Sequence, residues 1–371
     1  MDCPFTIKVY DKDFNFKCYI GDPRTVVATP RYNSSGTLRI DLTSDHPRIA
    51  DLSVDGARVV CEYYGEHILS GPVTAIAAQG PSSAAVIAFY VDDDFRLFEG
   101  VLGWPNPTQA ITSQTSEYYK LTGPAETVVK DLITKNAITR LGMPVTCASN
   151  LARGATISVA LRMDPLADKL FPAVEQAGIG VSVKQSGAGL LVDCYVPATF
   201  PRILTEESGI VQDWSWTSTR ATNTRVVIGG EGEATARVFA IEVAVNREPR
   251  INDKMEVFRD ARDADSSALL SERGRETLAE GAAKSGFSLT LAETDNFRYG
   301  GKGVRVGDSV TVSIGGVERT DILREATISY SYDDGLSITP VIGEIQDNPD
   351  RTIASFLKSV RKGLAELKAG T

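Results

Sequence analysis

The chain has 371 residues, of which 42% are hydrophobic and 23% charged, and 39 basic against 48 acidic residues give a net charge of −9. Wholesale disorder is excluded because there is enough apolar material for folded cores. No apolar run approaches the ~20 residues of a membrane-spanning helix, and the acidic balance argues against tight nucleic-acid binding. At roughly 100–200 residues per domain, the length predicts two to four domains.

The N-terminus and the cysteines indicate a protein that is neither exported nor disulfide-bonded. Residues 1–10 carry an acid at position 2 and no apolar signal-peptide core. Five cysteines are scattered without any CxxC pair, so neither a zinc ribbon nor a disulfide framework is indicated. We expect reduced thiols, several of them buried, at Cys3, Cys18, Cys61, Cys147 and Cys194.

Residues 1–111 predict a β domain. Short runs of β-branched and aromatic residues occur at 6–10, 38–42, 59–64 and 85–91. Glycine, proline, asparagine and aspartate separate them as turns. This spacing is typical of an antiparallel barrel or sandwich.

Residues 112–203 predict an α+β domain. A helix opens at Pro124 and is expected to stop near Asn136, and a second runs over 164–177 with Gly178 as its C-terminal cap. Two strands, 180–185 and 190–195, follow.

Residues 204–347 return to β structure, with a helical or α+β insertion at about 247–303. Strands are predicted at 225–228 and 236–245, and a helix over 266–284 has Asp265 or Ser266 as its cap. Asp334-Gly335 predicts a hairpin turn between two late strands.

No motif indicates catalysis, a metal or a cofactor. His46 and His67 are the only histidines and are interpreted as surface residues. Asp92-Asp93-Asp94 is interpreted as a solvated loop, because consecutive strand residues alternate faces. Gly229-Gly230-Glu231-Gly232 precedes a strand instead of a helix, so it predicts a turn and not a phosphate loop. Paired carboxylates of a glycoside hydrolase stay open, since 48 acids offer many pairs.

Residues 348–371 predict a C-terminal helix with a basic outer face. Its apolar residues are spaced 4, 3, 4 and 3, which is two heptads of a coiled-coil seam. The stripe either packs on the chain's own domain or joins three copies. The candidate oligomerisation residues are Ile353, Leu357, Val360, Leu364 and Leu367.

A weak internal repeat appears at a shift of 251 residues. Both copies read as a glycine, an alternating strand, a glycine turn and a returning strand. The matched positions are Gly56 with Gly307, Gly65 with Gly316, and Val59, Cys61 and Tyr63 with Val310, Val312 and Ile314.

An ordered set of segments resembles a known family. The segments are VDDDFRLFEGVLGWPNPT, LTGPAETVVKDLITKNA, RGATISVALRMDPLADKL, AGIGVSVKQSGAGLLVDCYVP, RVVIGGEGEATARVF, GDSVTV and REATISYSYDDGLSITPVIG, between residues 91 and 343. In this order they resemble the tail-hub family, often described as minor tail proteins, of long-tailed siphophages infecting actinobacteria.

The resemblance implies a non-enzymatic structural protein of the virion, located at the tail tip after synthesis in the host cytoplasm. The implied fold is mainly β with α+β insertions: two tail-tube-like antiparallel β-barrel modules, smaller α+β domains and a C-terminal helix. Three chains then present six modules and match a sixfold tube to a threefold tip. The implied partners are two further copies, the distal tail protein ring, the tape measure protein and other tail-tip proteins, with DNA only in transit through the channel.

Two other classes stay open. Trp214 and Trp216 share a face if their segment is a strand, and with Trp104 they suggest a glycan-stacking platform of a host-recognition protein. The other alternative is a cell-wall hydrolase.

Overall fold

The computed structural model describes residues 3–81, 85–244, 255–262, 264, 266–294, 297–301, 303–333 and 335–343. Strands account for 47% and helices for 19%, which confirms the predicted mainly β class. The predicted C-terminal helix and its seam of Ile353, Leu357, Val360, Leu364 and Leu367 lie outside the described residues.

The strands and helices follow one another along the whole described chain. The strands are β1 (Phe5–Tyr10), β2 (Phe16–Ile20), β3 (Thr25–Thr29), β4 (Thr37–Thr43), β5 (Arg58–Tyr63), β6 (Glu66–Gln79), β7 (Val86–Asp92), β8 (Leu102–Gly103), β9 (Tyr119–Pro124), β10 (Val145–Cys147), β11 (Thr156–Leu161), β12 (Asp164–Pro165), β13 (Gly180–Ser186), β14 (Gly189–Tyr195), β15 (Val211–Thr219), β16 (Arg225–Gly229), β17 (Phe239–Val243), β18 (Glu256–Asp260), β19 (Lys284–Leu291), β20 (Ser309–Ile314), β21 (Val317–Ser331) and β22 (Gly335–Gly343). The helices are α1 (Ile49–Ser53), α2 (Leu97–Gly100), α3 (Ala125–Ile133), α4 (Leu166–Gln176) and α5 (Ser267–Glu280).

One 12-stranded sheet unites strands from both ends of the chain. Its order is β15-β19-β22-β21-β3-β4-β7-β6-β5-β1-β2, and β20 pairs with β21. Alternate side chains of these strands enter one shared core, for example Ile40, Phe89, Phe287 and Ile328. The path through the described strands is open from β15 to β2, so the two predicted barrels stay a prediction.

The middle of the chain has its own core. Helices α3 and α4 pack with the sheets β10-β14-β13 and β9-β11, and Val129, Leu170 and Val192 are fully buried there. Gly178 has a φ of 73°, and its N–H donates to the carbonyl of Glu175, as its predicted role after α4 requires.

The predicted stop at Asn136 is wrong, because the helical backbone continues through Thr139 as a π-helical segment, Thr134–Thr139. The Asn136 side chain is buried and satisfied on both sides. Its Nδ2 donates to the carbonyl of Leu132 (3.1 Å), and its Oδ1 accepts from the N–H of Trp104 (3.0 Å). The amide therefore cross-links two segments and does not end the helix.

A third, smaller unit consists of the sheet β17-β16-β18 with α5 on one face. Ser266 caps α5, since its Oγ accepts from the N–H of Leu269 (3.4 Å). The predicted strand over 236–245 begins later, at Phe239. Strands β16 and β17 precede the insertion predicted at 247, yet β16 pairs with β17 on one edge and with β18 on the other, outside the large sheet.

Candidate assembly interface

The two neighbouring tryptophans lie on the last strand of the large sheet. Trp214 is opposite Leu289 and Trp216 is opposite Phe287 across the β15–β19 pair. Residues paired across strands share a face, so both tryptophans lie on the core-facing side of the sheet. They are nevertheless 37% and 40% exposed, because β15 has no strand on its other edge within the described part of the chain.

Both indoles are held in place by hydrogen bonds. Trp214 donates from Nε1 to Glu206 Oε1 (2.7 Å), and Trp216 donates to Ser285 Oγ (3.4 Å). Trp104 packs elsewhere, with the guanidinium of Arg140 4.6 Å from its ring centroid. The structure therefore brings together two of the three tryptophans of the predicted platform.

A second exposed edge belongs to β6. The first half of this strand pairs with β5, and residues 73–79 pair with β7 along one edge only. Ile76 is opposite Phe89, so it also lies on the core-facing side, yet it is 48% exposed. Over residues 73–79 the structure shows no strand beside the other edge of β6.

The two edges occupy related positions in an internal structural repeat. The bounds of β5, Arg58–Tyr63, and β20, Ser309–Ile314, differ by the predicted 251 residues. Strands β6 and β21 are both long, and each has a bulge in the same place, at Val73/Ala75 and at Leu323/Glu325. Each is followed by a hairpin partner, β7 and β22.

The repeat extends to the strands on the other side. Thr37 of β4 is opposite Asp92 at the end of β7, and Gly286 of β19 is opposite Gly343 at the end of β22. Strand β3 lies beside β4 as β15 lies beside β19. Thus β3 corresponds to β15, and β6 corresponds to β21.

The chain fills one of two corresponding junctions. Strand β3 pairs with β21, with Ala28 opposite Ile328 and Val26 opposite Tyr330. The counterpart of this junction is a pairing of β15 with β6. Both strands have a free edge in the part of the chain that the structure describes, so the second junction is unfilled there.

The face of the large sheet opposite the core is rich in hydroxyl groups, and we call it the hydroxyl face. Strand pairing places on it Ser215, Thr217, Ser288, Thr290, Ser337, Thr339, Thr327, Ser329, Ser331, Thr25, Thr29, Thr37 and Thr43. Charges there include Arg39, whose guanidinium donates to both carboxylate oxygens of Asp41 (2.7 and 2.8 Å). Pairing also places Val27, Tyr90 and Glu325 on this face, so it is mixed but rich in hydroxyl groups, and its Arg39 is paired.

The solvated-loop interpretation of Asp92-Asp93-Asp94 is wrong. Asp94 is buried. Arg58 Nη2 donates to both of its carboxylate oxygens (2.7 Å each), and Ser70 Oγ donates to one of them (2.7 Å). Asp93 accepts from the N–H groups of Phe95 (3.2 Å) and Gly36 (3.4 Å), and burial raises its pKa to about 7. The pair fixes the turn after β7 to the neighbouring strands.

The surface interpretation of both histidines is also wrong. His46 is buried, with Nε2 3.0 Å from Asp22 Oδ1 and Nδ1 accepting from the N–H of Arg48 (3.2 Å). His67 is half-buried, and burial together with the charge of Lys184 lowers its pKa to about 4. Both rings therefore serve the packing of loops and strands.

The sequence patterns did not predict a buried charge network in the middle region. Glu126 is fully buried and binds Arg153 through Nε (2.9 Å) and Nη2 (2.8 Å) and Lys130 Nζ (2.6 Å). Asp193 accepts from the same two cations, at 2.9 and 3.3 Å. Only the i,i+4 spacing of Glu126 and Lys130 was a local signal, because the other partners come from distant segments.

The cysteines are free thiols, as predicted, and Cys18, Cys61 and Cys194 are buried. Burial raises the pKa of Cys18 to about 11, so this thiol stays protonated at neutral pH.

No group of three or more His, Cys, Asp or Glu side chains within the described ranges could hold a metal ion. None of the helices described here has the length and apolar character to cross a membrane.

Three solved structures share this fold over nearly their whole lengths. The 43 kDa tail protein of prophage MuSo2 from Shewanella oneidensis is 11% identical, with a TM-score of 0.59 over 91% of this chain and 98% of its own. A tail protein from Neisseria meningitidis MC58 is 10% identical (TM-score 0.56; 92% and 97% covered), and prophage tail protein gp18 from Listeria monocytogenes EGD-e is 9% identical (TM-score 0.54; 96% and 99%). No curated protein matches the chain.

The family of siphovirus ReqiPepy6 Gp37-like proteins matches residues 6–344. This match covers most of the chain, and it agrees with the phage-tail fold of the solved structures. The predicted resemblance to siphophage tail proteins is thereby confirmed, and the hydrolase alternative is not supported. The chain belongs to the siphovirus ReqiPepy6 Gp37-like family, and its fold is shared by solved tail proteins of phages and prophages.

Proposed function

We propose that the chain is the tail-tip hub of a siphophage, in which three copies form a closed ring around the path of the DNA. The observation that carries this proposal is the unfilled counterpart of the β3–β21 junction. Strands β15 and β6 correspond to β3 and β21, and each has a free edge. A free strand edge is a ready template for pairing with another chain.

The internal junction supplies the register of the proposed pairing. In the internal junction Ala28 is opposite Ile328. In the repeat Trp216 corresponds to Ala28, and Ala78 corresponds to Ile328. The same pairing between copies therefore puts Trp216 opposite Ala78 of the neighbouring copy, and Thr217 opposite its Ala77. In this register, Ile76 and Trp216 both lie on the core-facing side. Pairing would therefore bury the apolar side chains that are half-exposed in a single chain.

The pairing is head-to-tail, because the two strands that meet are different. Such contacts generate closed rings or open filaments, according to the rotation between copies. Three copies would present six related modules, which is the number that matches a sixfold tail tube. The distal tail ring, the tape measure protein, the tail-tip position and the actinobacterial host belong to the same proposal.

The hydroxyl face is proposed to line the channel. Side chains of serine and threonine are small and uncharged, and Arg39 on this face is already paired with Asp41. A net charge of −9 also disfavours retention of the phosphate backbone. Such a lining would let DNA pass without binding it.

The glycan-binding alternative rests on the exposure of Trp214 and Trp216. Binding on a glycan array that is lost in the double variant Trp214→Ala/Trp216→Ala would support it. The assembly proposal explains the same exposure by the absence of a neighbouring copy from the single chain. If no glycan on the array binds, the glycan-binding alternative is wrong and only the assembly proposal explains the exposure.

Cysteine cross-linking tests the ring. The pair Ala77→Cys/Thr217→Cys should give disulfide-linked dimers and trimers, and light scattering should give a mass near three times 39.9 kDa. The matched internal pair Thr29→Cys/Thr327→Cys occupies the corresponding site of the junction within the chain, and should give a disulfide in the monomer. The pair Ala78→Cys/Thr217→Cys places the thiols on opposite faces and should cross-link much less. Absence of interchain disulfides, with the internal control intact, would overturn the proposal.

A further inference from the structure

Within the part of the chain that the structure describes, the three-stranded sheet β17-β16-β18 has one face covered by α5 and one exposed face. Val226 and Ile228 point to α5 and are fully buried with Leu269 and Leu270. The other side, which we call the bare face, carries Val227, Phe239, Ile241, Val243 and Phe258. Four of these five are 50–56% exposed, and Val227 is half-buried.

The apolar residues of the bare face are contiguous. Ile241, Val227 and Phe258 are opposite one another and form a row across all three strands. The guanidinium of Arg237 closes one end of the face, 5.8 Å from the ring centroid of Phe239 and 5.5 Å from that of Phe258. A sheet that is apolar on both sides normally has a packed layer on both.

We propose that the C-terminal segment of the same chain, residues 348–371, docks on the bare face as an amphipathic helix. Its apolar stripe of Ile353, Leu357, Val360, Leu364 and Leu367 would supply the missing layer. This inference goes beyond the hub proposal and does not depend on the ring.

The last described residue places this segment within reach. Gly343 is opposite Gly286 of β19, which is opposite Thr217 of β15. A few residues further, the N–H of Thr222 donates to the carbonyl of Gly281, just before β16 begins. Residues 344–352 would span up to about 30 Å if extended. They can therefore reach from the end of β22 to the end of the small sheet at which β16 begins.

The sizes of the two surfaces agree. A helix over 353–367 is about 22 Å long, and the five-residue strands of the small sheet are about 17 Å long. The stripe and the bare face each offer five apolar side chains.

Charge favours docking over association of three tails. The segment carries Arg351, Lys358, Arg361, Lys362 and Lys368 against two acids, Asp350 and Glu366, whereas the whole chain has a net charge of −9. Parallel packing of three such helices brings like charges together, while docking brings a basic segment to an acidic body. The predicted coiled-coil use of the seam is thus the competing outcome.

Disulfide trapping in the full chain tests the proposal. Ile241→Cys with Val360→Cys, and Ile241→Cys with Leu357→Cys, place one thiol on the bare face and one on the stripe. On oxidation at low protein concentration, at least one pair should form a disulfide within the chain, identified by peptide mass mapping. The control Ile241→Cys/Lys362→Cys puts the second thiol off the stripe and should form about tenfold less, because proximity raises the effective concentration of the partner thiol.

A second measurement tests docking without relying on two thiols being close enough to form a disulfide. Leu357→Asp/Leu364→Asp should increase hydrogen exchange over β17 and raise binding of an apolar dye, without changing exchange in the core strand β4. Disulfides only between chains, or the absence of any disulfide together with unchanged exchange over β17, would overturn the proposal. Interchain disulfides would instead assign the seam to association of copies. Neither result bears on the β6–β15 cross-link, so the two proposals fail separately.

Discussion

The hydroxyl groups of Thr29 and Thr327 lie 3.5 Å apart across the junction of β3 and β21. This contact joins the N-terminal and C-terminal parts of the large sheet. Its counterpart in the repeat would join Thr217 to Ala77 of another copy. The chain therefore contains an internal example of the contact that we propose between copies, and variants of either junction can be compared directly.

Ile76→Lys is expected to reduce the assembled protein to monomers. Ile76 is half-exposed in the single chain and would be buried by the neighbouring β15, where an ammonium group is costly. Light scattering measures the mass, and far-UV circular dichroism should show that the monomeric variant keeps its β structure. Ile76→Val is the control and should keep the assembled mass, and a trimeric Ile76→Lys protein would contradict this register.

Phe287→Ala and Trp216→Ala should differ sharply in the stability of the monomer, although the two residues are paired. Phe287 is buried, so its truncation should lower the free energy of unfolding by about 3–5 kcal/mol. Trp216 is 40% exposed, and its truncation should cost about 1–2 kcal/mol, since less apolar area is lost. Urea unfolding in the Ile76→Lys background measures both without a contribution from assembly. Equal costs would show that β15 is already covered in the single chain.

Glu126→Gln should destabilise the middle region by about 3–5 kcal/mol at pH 7, because the buried Lys130 and the partly buried Arg153 lose the fully buried carboxylate that they share. Hydrogen bonds from Arg153 hold the pKa of Glu126 well below its usual range. The carboxylate therefore contributes stability above its unfolded pKa near 4.3, and this contribution is lost as the pH falls. Urea unfolding between pH 3 and 7 should show a smaller decline for Glu126→Gln than for the wild type. Glu117→Gln, at an exposed ion pair with Arg162, is the control and should change stability by less than about 1 kcal/mol.

Local patterns in the sequence predicted many of the elements, because their causes are local. Gly178 ends α4 and Ser266 caps α5 through contacts within four residues. The 251-residue repeat was visible because Gly65 and Gly316 both turn with positive φ between paired strands. Each of these signals needs only a short window of sequence.

The candidate interface and the buried charges were not visible in this way. The partner of Ala28 is Ile328, and no local pattern connects them. Asp94 looked solvated because its partner Arg58 lies on a different strand. The free edges of β6 and β15 are properties of sheet order, which periodicity does not determine.

Asp93→Asn should remove a pH dependence of opposite sign to that of Glu126. Burial raises the pKa of Asp93 to about 7, whereas an unfolded aspartate titrates near 3.9. Between these values the folded state holds a proton that the unfolded state has lost, so this residue's contribution to stability declines as the pH rises from about 4 to 7. The thermal unfolding midpoints of the wild type and of Asp93→Asn should converge at pH 4. They should diverge towards pH 7, because the midpoint of the variant depends less on pH. Asp22→Asn, at an exposed carboxylate beside His46, is the control. Parallel pH profiles for the wild type and Asp93→Asn would show that Asp93 is ionised in the folded protein.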